Sequence, residues 1–316
     1  NKIWIMKIIR DVKNINFDKP MVATVGAFDG IHLGHQEIIK NVIALSKKED
    51  LKSAVVTFYP LPKIFFSKKN FELISIYKKI RILNNFNLDY LIILRFNKKF
   101  ISMSSDEFIK NLIIQKLNIK SLIVGEDFKF GHNQTGDIKQ LKYFSDKGFF
   151  DLEVEKKHSL ENERVSSSSI RKYITNNDFV NSSKMLNRPY SISGKITHGE
   201  KRGSQIGFPT ANISLKPNIL LNGVYAVTTN INNKKYHGVA NIGYKPTFNG
   251  EKYLFEANIF NFSDNLYGQR LEFDIISKIR GTKKFNGIDE LKESIKNDIA
   301  KAKEIFKIKW VIIKTH

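Results

Sequence analysis

The amino-acid sequence predicts an α/β protein of two domains, in which a parallel sheet with helices is followed by a small antiparallel β-barrel and a closing helix. In the first part of the chain, short β-branched and apolar runs alternate with segments of helical periodicity, which is typical of a parallel sheet. From about residue 191 onward, alternating runs are separated only by turn residues, as in a small barrel. The 316 residues and 41% hydrophobic content are enough to give two domains a core each.

The strands of the first domain are predicted from four short apolar runs. These runs are Met21 to Val25, Ser53 to Phe58, Tyr90 to Leu94 and Ser121 to Val124. Apolar residues at 3.6-residue spacing predict the helices between them. They include Ile38, Ile39, Val42 and Ile43, then Ile76, Ile80 and Leu83, then Phe108, Ile109, Leu112 and Ile113. Ligands of open parallel sheets bind beyond the carboxyl ends of the strands, so the segments that follow Val25 and Val124 are candidates for a binding site.

The second domain is predicted to begin where Asn187-Arg188-Pro189-Tyr190 breaks a last short helix, which gives domains 1–187 and 188–316. Five alternating runs follow, at Ser191 to Thr197, Val224 to Ile231, Tyr236 to Ile242, Leu254 to Phe260 and Leu271 to Ile279. A final helix has its buried stripe at Ile288, Leu291, Ile295, Ile299, Ala302 and Phe306. Residues Trp310 to Ile313 are expected either to add an edge strand or to pack as apolar bulk.

Composition limits the possible partners. A net charge of +21 favours nucleic acid as a partner, but the lysines are spread over the whole chain as pairs and do not form one basic arm. We therefore expect no specific nucleic-acid binding. No apolar run approaches the ~20 residues of a membrane span, and Asn1 to Arg10 lacks the apolar core of a signal peptide. With no cysteine in the chain, we expect a cytoplasmic protein without a membrane anchor; the sequence does not predict its oligomeric state.

The most informative motif is Val25-Gly26-Ala27-Phe28-Asp29-Gly30-Ile31-His32-Leu33-Gly34-His35-Gln36, where the first strand becomes a helix. A helix N-terminus offers free backbone N–H groups and the positive end of the helix dipole to an anion, and His32 and His35 add side-chain donors from the same turn. Gly34 allows a ligand to approach the backbone. The alternatives are a tight turn with capping histidines, or a metal pair. A structural zinc site is disfavoured because the chain has no cysteine and its other histidines are scattered.

Two further loops of the first domain carry candidate residues. Gly125-Glu126-Asp127-Phe128-Lys129-Phe130-Gly131 follows the fourth strand directly, so it lies at the ligand edge of the sheet unless it is only a turn with buried aromatics. In Val165-Ser166-Ser167-Ser168-Ser169-Ile170-Arg171, four serines precede a helical pattern. Hydroxyls, free amides and the planar fork of Arg171 together suit a triphosphate.

The second domain contains a glycine-rich loop from Gly199 to Gly207, followed by Phe208-Pro209-Thr210-Ala211-Asn212. Such a loop can wrap phosphates with backbone N–H groups, and the hydroxyl and amide that follow can present oxygen ligands to magnesium. The alternative is an ordinary β-hairpin loop. Glu256 lies inside the apolar run Phe255 to Phe260; an acid there is usually solvated, but an inward carboxylate can accept a proton.

In this order, the motifs resemble those of the bacterial bifunctional riboflavin kinase/FAD synthetase family over residues from about 20 to 310. Phe58-Tyr59-Pro60-Leu61-Pro62, Gly223-Val224-Tyr225-Ala226, Asn241 to Phe248 and Leu266-Tyr267-Gly268 match as well. The resemblance implies a Rossmann-like nucleotidylyltransferase domain (1–187) that adenylylates FMN to FAD, and a riboflavin kinase barrel (188–316) that phosphorylates riboflavin. ATP is then the co-substrate of both reactions, and Mg²⁺ is the metal.

The same resemblance implies a role for particular residues. The catalytic residues are His32, His35 and Glu256, and the metal ligands are Thr210 and Asn212. Flavin-binding residues are Phe128, Arg280 and Phe285. Nucleotide-binding residues are Gly26, Phe28, Gly34, Asp127, Ser167, Ser168, Arg171, Gly199, Gly207, Thr210 and Asn212.

The chain departs from the family pattern at several positions. Leu61 replaces a histidine, Ser168 a threonine, Ser204 an arginine, Asn258 a histidine and Thr282 an acid. Two other functions remain open from the sequence: a different His-x-Gly-His adenylyltransferase fused to an unrelated barrel, and a basic nucleic-acid-binding protein.

Overall fold

A computed structural model describes residues 6–10, 12, 17, 19–67, 72–197, 208–215, 221–247 and 250–314. By its internal contacts the chain divides into two compact units, Asn1–Ser167 and Ser168–His316. This division lies earlier in the chain than the domain boundary predicted at 187/188. The segment between the observed division at 167/168 and the predicted boundary at 187/188 carries two short helices.

The first unit is built on a six-stranded sheet in which every pair of neighbouring strands is parallel. The strand order is β1-β4-β3-β2-β5-β6. The strands are β1 (Lys7–Ile9), β2 (Met21–Val25), β3 (Lys52–Tyr59), β4 (Tyr90–Arg95), β5 (Ile119–Gly125) and β6 (Asp151–Glu155). The predicted parallel sheet is thus confirmed, with β1 and β6 added at its edges. Because the chain order reverses between β2 and β5, the loop after β2 lies at the switch point where such sheets bind ligands.

Helices cover both faces of this sheet. They are α1 (Leu33–Lys48), α2 (Pro62–Phe66), α3 (Ile76–Asn84), α4 (Lys98–Ile101), α5 (Ser105–Glu107) and α6 (Ile138–Asp146). A capping box of Ser104 and Glu107 starts α5, which continues as a π-helical segment over Phe108–Lys116. The two faces of the sheet pack separate apolar cores, one with α1 and α3 and the other with the π-helical segment and α6. A small hairpin, β7 (Ser159–Leu160) and β8 (Glu163–Arg164), follows β6.

The second unit is built on an antiparallel sheet of six strands in the order β10-β13-β12-β11-β14-β9. The strands are β9 (Ser191–Lys195), β10 (Ala211–Ser214), β11 (Gly223–Ile231), β12 (Lys234–Thr247), β13 (Gly250–Ile259) and β14 (Arg270–Arg280). An isolated bridge between Thr197 and Asn212 joins the ends of the two edge strands, where the Thr197 N–H donates to the Asn212 carbonyl at 2.9 Å. The sheet is therefore a nearly closed barrel, as the sequence predicts.

The described residues of this unit form three helices: α7 (Ser167–Thr175), which starts at the last residue of the first unit, α8 (Phe179–Leu186) and α9 (Ile288–Lys314). The α8 residue Phe179 is 4% exposed, and its ring lies 6.0 Å from the Tyr225 ring of the barrel. Asn187 ends α8 in the left-handed conformation, at φ 55°, two residues before a proline. Because α8 packs against the barrel, it belongs to the second compact unit.

Helix α9 packs Ala302 and Phe306 against Val224, Ala226 and Val239 of the barrel. The backbone of residues 310–313 continues this helix, so the expected alternative of an edge strand there is wrong. The helical apolar period of the preceding residues continues through this segment. Across the described part of the chain, no helix combines the length and the apolar character needed to cross a membrane.

Candidate active sites

The two histidines of the first unit lie together in the first turn of α1. His32 is the N-cap residue, and its Nδ1 accepts the backbone N–H of His35 at 3.4 Å. The two imidazole rings are stacked, with centroids 3.6 Å apart and an interplanar angle of 18°. The helix begins directly after the β2 loop, so the ring pair sits where unpaired N–H groups favour an anion.

The loop between β2 and α1 is held in an unusual backbone conformation. Phe28 and Ile31 have φ angles of 45° and 44°, which side chains with a Cβ rarely adopt. Asp29 helps to fix the loop: its carboxylate accepts the Leu73 N–H at 2.9 Å, and its backbone carbonyl accepts a hydrogen bond from the Ser167 hydroxyl at 2.8 Å. Ser167, a predicted phosphate-binding residue, is therefore bonded to the histidine loop itself.

The surroundings of His35 favour the neutral form of its imidazole. Burial, the neighbouring His32 and the charge of Lys79 all lower the pKa of His35 well below its ordinary value of 6.5. Its Nδ1 is buried and has no hydrogen-bond partner within the described residues. The Phe28 ring packs 4.9 Å from the His35 ring. Since the Phe28 side chain is 2% exposed, only its backbone can reach a nucleotide.

Lys79 was not selected as a functional residue from the sequence. It is 2% exposed, and its Nζ donates to the Ala27 carbonyl at 2.6 Å and to Thr57 Oγ1 at 3.2 Å. A signal existed: Lys79 falls on the same helical face as Ile76, Ile80 and Leu83, and a lysine on an apolar face needs a buried partner.

Two of the three glycines in the motif, Gly26 and Gly34, lie close to other groups of the site. A Cβ at Gly34 would lie 3.3 Å from the His158 Cβ and 3.5 Å from His32 Cε1. A Cβ at Gly26 would lie 3.1 Å from the Phe28 ring. At both positions a side chain would crowd neighbouring protein atoms, so the two glycines also allow the loop to pack closely.

The two predicted site residues in the loop after β5 make different kinds of contact: Asp127 forms ion pairs, and Phe128 packs against another ring. Asp127 pairs with Lys157 and Arg164. Burial raises the pKa of the Asp127 carboxyl, but these two cations lower it further, so the pKa lies below its ordinary value. The Phe128 ring stacks on Phe130 at 5.5 Å. The Phe128 ring also contacts the Phe108 ring, at 6.4 Å.

The phenylalanine row is a series of five rings in successive contact, from Phe66 through Phe96, Phe100 and Phe108 to Phe128, with centroid distances of 5.6 to 6.4 Å. Phe66 is 66% exposed, an unusual position for a large apolar ring. Four of the five rings were not selected as site residues, because they come from segments far apart in the sequence.

Ser168 and Arg171 lie on α7, which begins at Ser167. The serines occupy the first turn of the helix, as predicted, and Arg171 lies about one turn further on. Leu61, which replaces a histidine of the family pattern, is 4% exposed at the start of α2. The loop is therefore packed by an apolar side chain at this position.

In the second unit, Thr210 and Asn212 form a small polar group at the start of β10. Asn212 is 5% exposed, and its amide NH₂ donates to the Thr210 carbonyl at 3.2 Å. Its Oδ1 is buried and has no hydrogen-bond partner within the described residues. A buried, unpartnered amide oxygen beside a hydroxyl is a suitable partner for a hard cation such as Mg²⁺.

Glu256 belongs to a polar row that crosses three neighbouring strands. It lies opposite Asn212 on β10 and opposite Asn241 on β12. Directly opposed residues point to the same face of a sheet, so the three side chains share one face. The Glu256 side chain is 17% exposed and pairs with Lys245. The pairing partners Asn241 and Lys245 were not chosen from the sequence, since only the barrel register brings them beside Glu256.

A cleft of about 470 Å³ lies beside the segment that precedes Thr210 in the chain. Its lining includes Phe208, Pro209, Asn258, Phe260 and Lys303. The Asn258 Nδ2 donates to the Pro209 carbonyl at 2.9 Å, so the residue that replaces a histidine of the family pattern ties the cleft wall to the segment that leads to Thr210. Apolar and aromatic walls with a few polar groups are typical of small-molecule sites.

The residues Arg280, Phe285 and Asp298 come together near the start of α9. The Arg280 guanidinium donates to both Asp298 oxygens, at 2.9 and 2.8 Å, and lies 5.6 Å from the Phe285 ring centroid. The Asp298 side chain, which is 7% exposed, thereby orients the Arg280 guanidinium. The predicted residues Gly199, Ser204 and Gly207 lie outside the described residues.

Comparison with known proteins identifies the family. The sequence matches the FAD synthetase family over residues 14–169 and the riboflavin kinase family over residues 186–306. A bifunctional riboflavin kinase/FMN adenylyltransferase from Buchnera aphidicola subsp. Schizaphis graminum is 39% identical, over 96% of this chain and 100% of the relative. The chain belongs to the bifunctional riboflavin kinase/FMN adenylyltransferase family.

Other family members show the same coverage. Relatives with this function from Haemophilus influenzae and Escherichia coli K12 are 36% and 33% identical, over 95% of this chain in both cases and over 99% and 98% of their own lengths. A crystal structure described as a macrolide-efflux protein from Streptococcus pneumoniae is 30% identical, with a TM-score of 0.79 over 95% of this chain and 99% of that chain. Sequence and fold therefore agree over nearly the whole family length.

Proposed function

We propose that this chain phosphorylates riboflavin with ATP to give FMN, and then transfers AMP from a second ATP to FMN, giving FAD and pyrophosphate. The observation that carries the proposal is that the described residues of each compact unit include a polar arrangement suited to binding phosphate. The first unit has the stacked pair His32 and His35 at a helix N-terminus. The second has Thr210 and Asn212 beside Glu256 on the barrel.

In the kinase reaction, Glu256 accepts the proton of the riboflavin 5′-hydroxyl as that oxygen bonds to the γ-phosphorus and the bond to ADP breaks. Lys245 pairs with the Glu256 carboxylate and holds it in one orientation until substrate binds. Thr210 and Asn212 would hold Mg²⁺, whose charge neutralises the phosphates of ATP. The buried, unpartnered Oδ1 of Asn212 supports this assignment.

In the adenylylation reaction, an FMN phosphate oxygen bonds to the α-phosphorus of ATP, and the bond to pyrophosphate breaks. No protein nucleophile is needed. His32 and His35 stabilise the charge on the α- and bridging oxygens with preorganised N–H donors. Ser167, Ser168 and Arg171 bind the departing pyrophosphate through hydroxyls and a guanidinium.

Aromatic residues supply the flavin contacts. Phe128 ends the phenylalanine row, and a flat ring system such as the isoalloxazine stacks on aromatic faces. In the second unit, Phe285 and the carboxylate-oriented Arg280 contact riboflavin. The cleft beside Pro209 accepts the base of ATP, since it adjoins the segment that leads to the metal ligands.

We keep the proposed division into an FMN adenylyltransferase domain (1–187) and a riboflavin kinase domain (188–316). The matched family segments end at 169 and begin at 186, on either side of most of α7 and α8. Nucleic acid is not a specific partner in this proposal, because scattered lysines contact phosphates without distinguishing bases.

The proposal is tested by incubating the protein with riboflavin, ATP and Mg²⁺ and separating the flavins by chromatography. We expect FMN to appear first and FAD to follow, with ADP and pyrophosphate as co-products. If flavins stay unchanged while another phosphate-bearing acceptor is adenylylated, the chain is a different adenylyltransferase. A salt-resistant complex with one DNA sequence, without flavin turnover, would favour the nucleic-acid hypothesis.

A further inference from the structure

A buried lysine lies behind the histidine loop of the first unit. Lys79 extends from α3, and its Nζ donates to the Ala27 carbonyl at 2.6 Å. The Thr57 hydroxyl donates to the same carbonyl at 3.1 Å and accepts from the Lys79 Nζ at 3.2 Å. The Ala27 carbonyl oxygen thus accepts hydrogen bonds from two side chains, Lys79 of α3 and Thr57 of β3.

An ammonium group in this position is costly to bury, and hydrogen bonds to the buried group offset part of that cost. Burial lowers the pKa of Lys79 to about 8, while Asp29 and Glu72 act in the opposite direction. A group with this pKa is mostly charged at neutral pH. The side chain is 2% exposed, so it does not touch a substrate bound at the surface of the site.

The contacts of Lys79 lead directly to the histidine pair. Ala27 precedes Phe28, whose ring packs 4.9 Å from the His35 ring and whose backbone is held at φ 45°. The Lys79 charge also lowers the pKa of His35. The titratable groups that face these two side chains are His32 from α1, Asp29 from the loop and Glu72, which precedes α3.

We propose that Lys79 is a positioning residue of the adenylylation site, which fixes the loop beside the histidine pair through the Ala27 carbonyl. The inference rests on the proposed adenylylation function. The charge of Lys79 disfavours a proton on His35 in the free protein, because like charges repel each other. A neutral His35 keeps one ring nitrogen as an N–H donor and stays free of a competing anion until ATP binds.

Three variants separate the charge of Lys79 from its hydrogen bond. Lys79→Met removes both, Lys79→Gln keeps a donor without charge, and Lys79→Arg keeps the charge. Lys142→Met, an exposed lysine on α6, is the matched control. Adenylylation of supplied FMN is measured from pH 5 to 9 together with thermal unfolding, and riboflavin phosphorylation is measured in the same preparations.

We expect Lys79→Met to lower kcat for FAD formation ~10–100-fold, the range found when a group that orients a functional side chain is removed, with a smaller change in KM for ATP. The acid limb of the kcat/KM profile, which reports the pKa values of the free enzyme, moves to higher pH in Lys79→Met and Lys79→Gln, because the pKa of His35 rises when the neighbouring charge is lost. It stays in place in Lys79→Arg and Lys142→Met. Riboflavin phosphorylation and the unfolding temperature are not lowered.

An acid limb that stays in place in both uncharged variants overturns the proposal. So does a loss of adenylylation that follows a loss of thermal stability, or failure of both uncharged variants to fold, since each makes Lys79 a purely structural residue. Wild-type protein that makes no FAD from FMN and ATP refutes the proposed function itself. Full activity of Lys79→Met beside an active wild type refutes only the role of Lys79.

Discussion

His32 and His35 stack with their ring centroids 3.6 Å apart, and His32 caps the helix on which His35 lies. At this distance two imidazolium ions repel each other, and the charge of His32 contributes to the lowered pKa of His35. In the free protein the neutral form of His35 is therefore favoured at the positive end of a helix. A bound polyphosphate reverses this balance, because its negative charge favours protonation of both rings.

The first prediction concerns His35. His35→Ala should lower kcat for FAD formation from FMN by ~10²–10³, the usual cost of losing one preorganised donor to a developing charge. FMN formation from riboflavin should not change, because it takes place in the other unit. The two rates are measured separately with each flavin supplied. His132→Ala, an exposed histidine of the same unit, serves as control, and a parallel loss of both activities in a folded His35→Ala protein would contradict one reaction per unit.

The second prediction concerns Glu256. Glu256→Gln keeps the shape of the side chain but removes the base, so kcat for riboflavin phosphorylation should fall ~10²–10⁴-fold with little change in KM. A loose phosphoryl-transfer transition state needs the base late, which favours the lower end of this range. Adenylylation of supplied FMN should be unaffected, as should both activities of Glu293→Gln, an exposed acid on α9. Near-normal phosphorylation by Glu256→Gln would leave the residue as a partner of Lys245 only.

The third prediction is a pH dependence of stability. The pKa of Lys79 is about 8 in the folded protein instead of 10.5, which corresponds to about 3 kcal/mol. Because the unfolded chain binds this proton more tightly, the cost of burying the charge is present in full below pH 8 and disappears as the pH rises towards 10.5. The free energy of unfolding of Lys79→Met should therefore exceed that of wild type most at pH 7, and denaturant titrations should show the difference shrinking between pH 8 and 10.5. A constant difference across this range would show that Lys79 is not a buried charge.

The fourth prediction concerns the end of the first domain. A fragment of residues 168–316 keeps Phe179 packed against Tyr225, whereas a fragment of residues 188–316 lacks it. Both should fold and phosphorylate riboflavin, but the shorter fragment should lose at least about 2 kcal/mol of unfolding free energy, the value of burying one large aromatic side chain. Equal stability of the two fragments would mean that α8 adds nothing to the barrel.

Regular periodicity made most of the fold predictable from the sequence. The four central strands of the parallel sheet and the main barrel strands follow from apolar patterns, because each pattern reports directly which face of an element is buried. The short edge strands β1, β6 and β10 were missed, since they are only three to five residues long and include polar residues, so they lack a run of apolar residues like that of β2. The helical path of residues 310–313 could not be separated from a strand, because a short apolar run fits both.

The candidate sites were predictable only where one segment carries the chemistry. His32 and His35 share a helical turn, and Thr210 and Asn212 share a strand end, so spacing alone identifies them. Lys79, Lys245 and the phenylalanine row act through partners far away in the sequence. Their roles depend on strand register and on helix packing, which the sequence specifies only through the whole fold.

The most direct test of the central claim, two separate reactions in one chain, is a mixing experiment. His35→Ala and Glu256→Gln are each given riboflavin, ATP and Mg²⁺, alone and together, and FAD is measured by chromatography. We predict that His35→Ala alone accumulates FMN, that Glu256→Gln alone leaves riboflavin largely unconverted, and that the mixture forms FAD because released FMN passes from the first variant to the second. A mixture that forms no more FAD than the two variants alone, although Glu256→Gln adenylylates supplied FMN, would contradict the account.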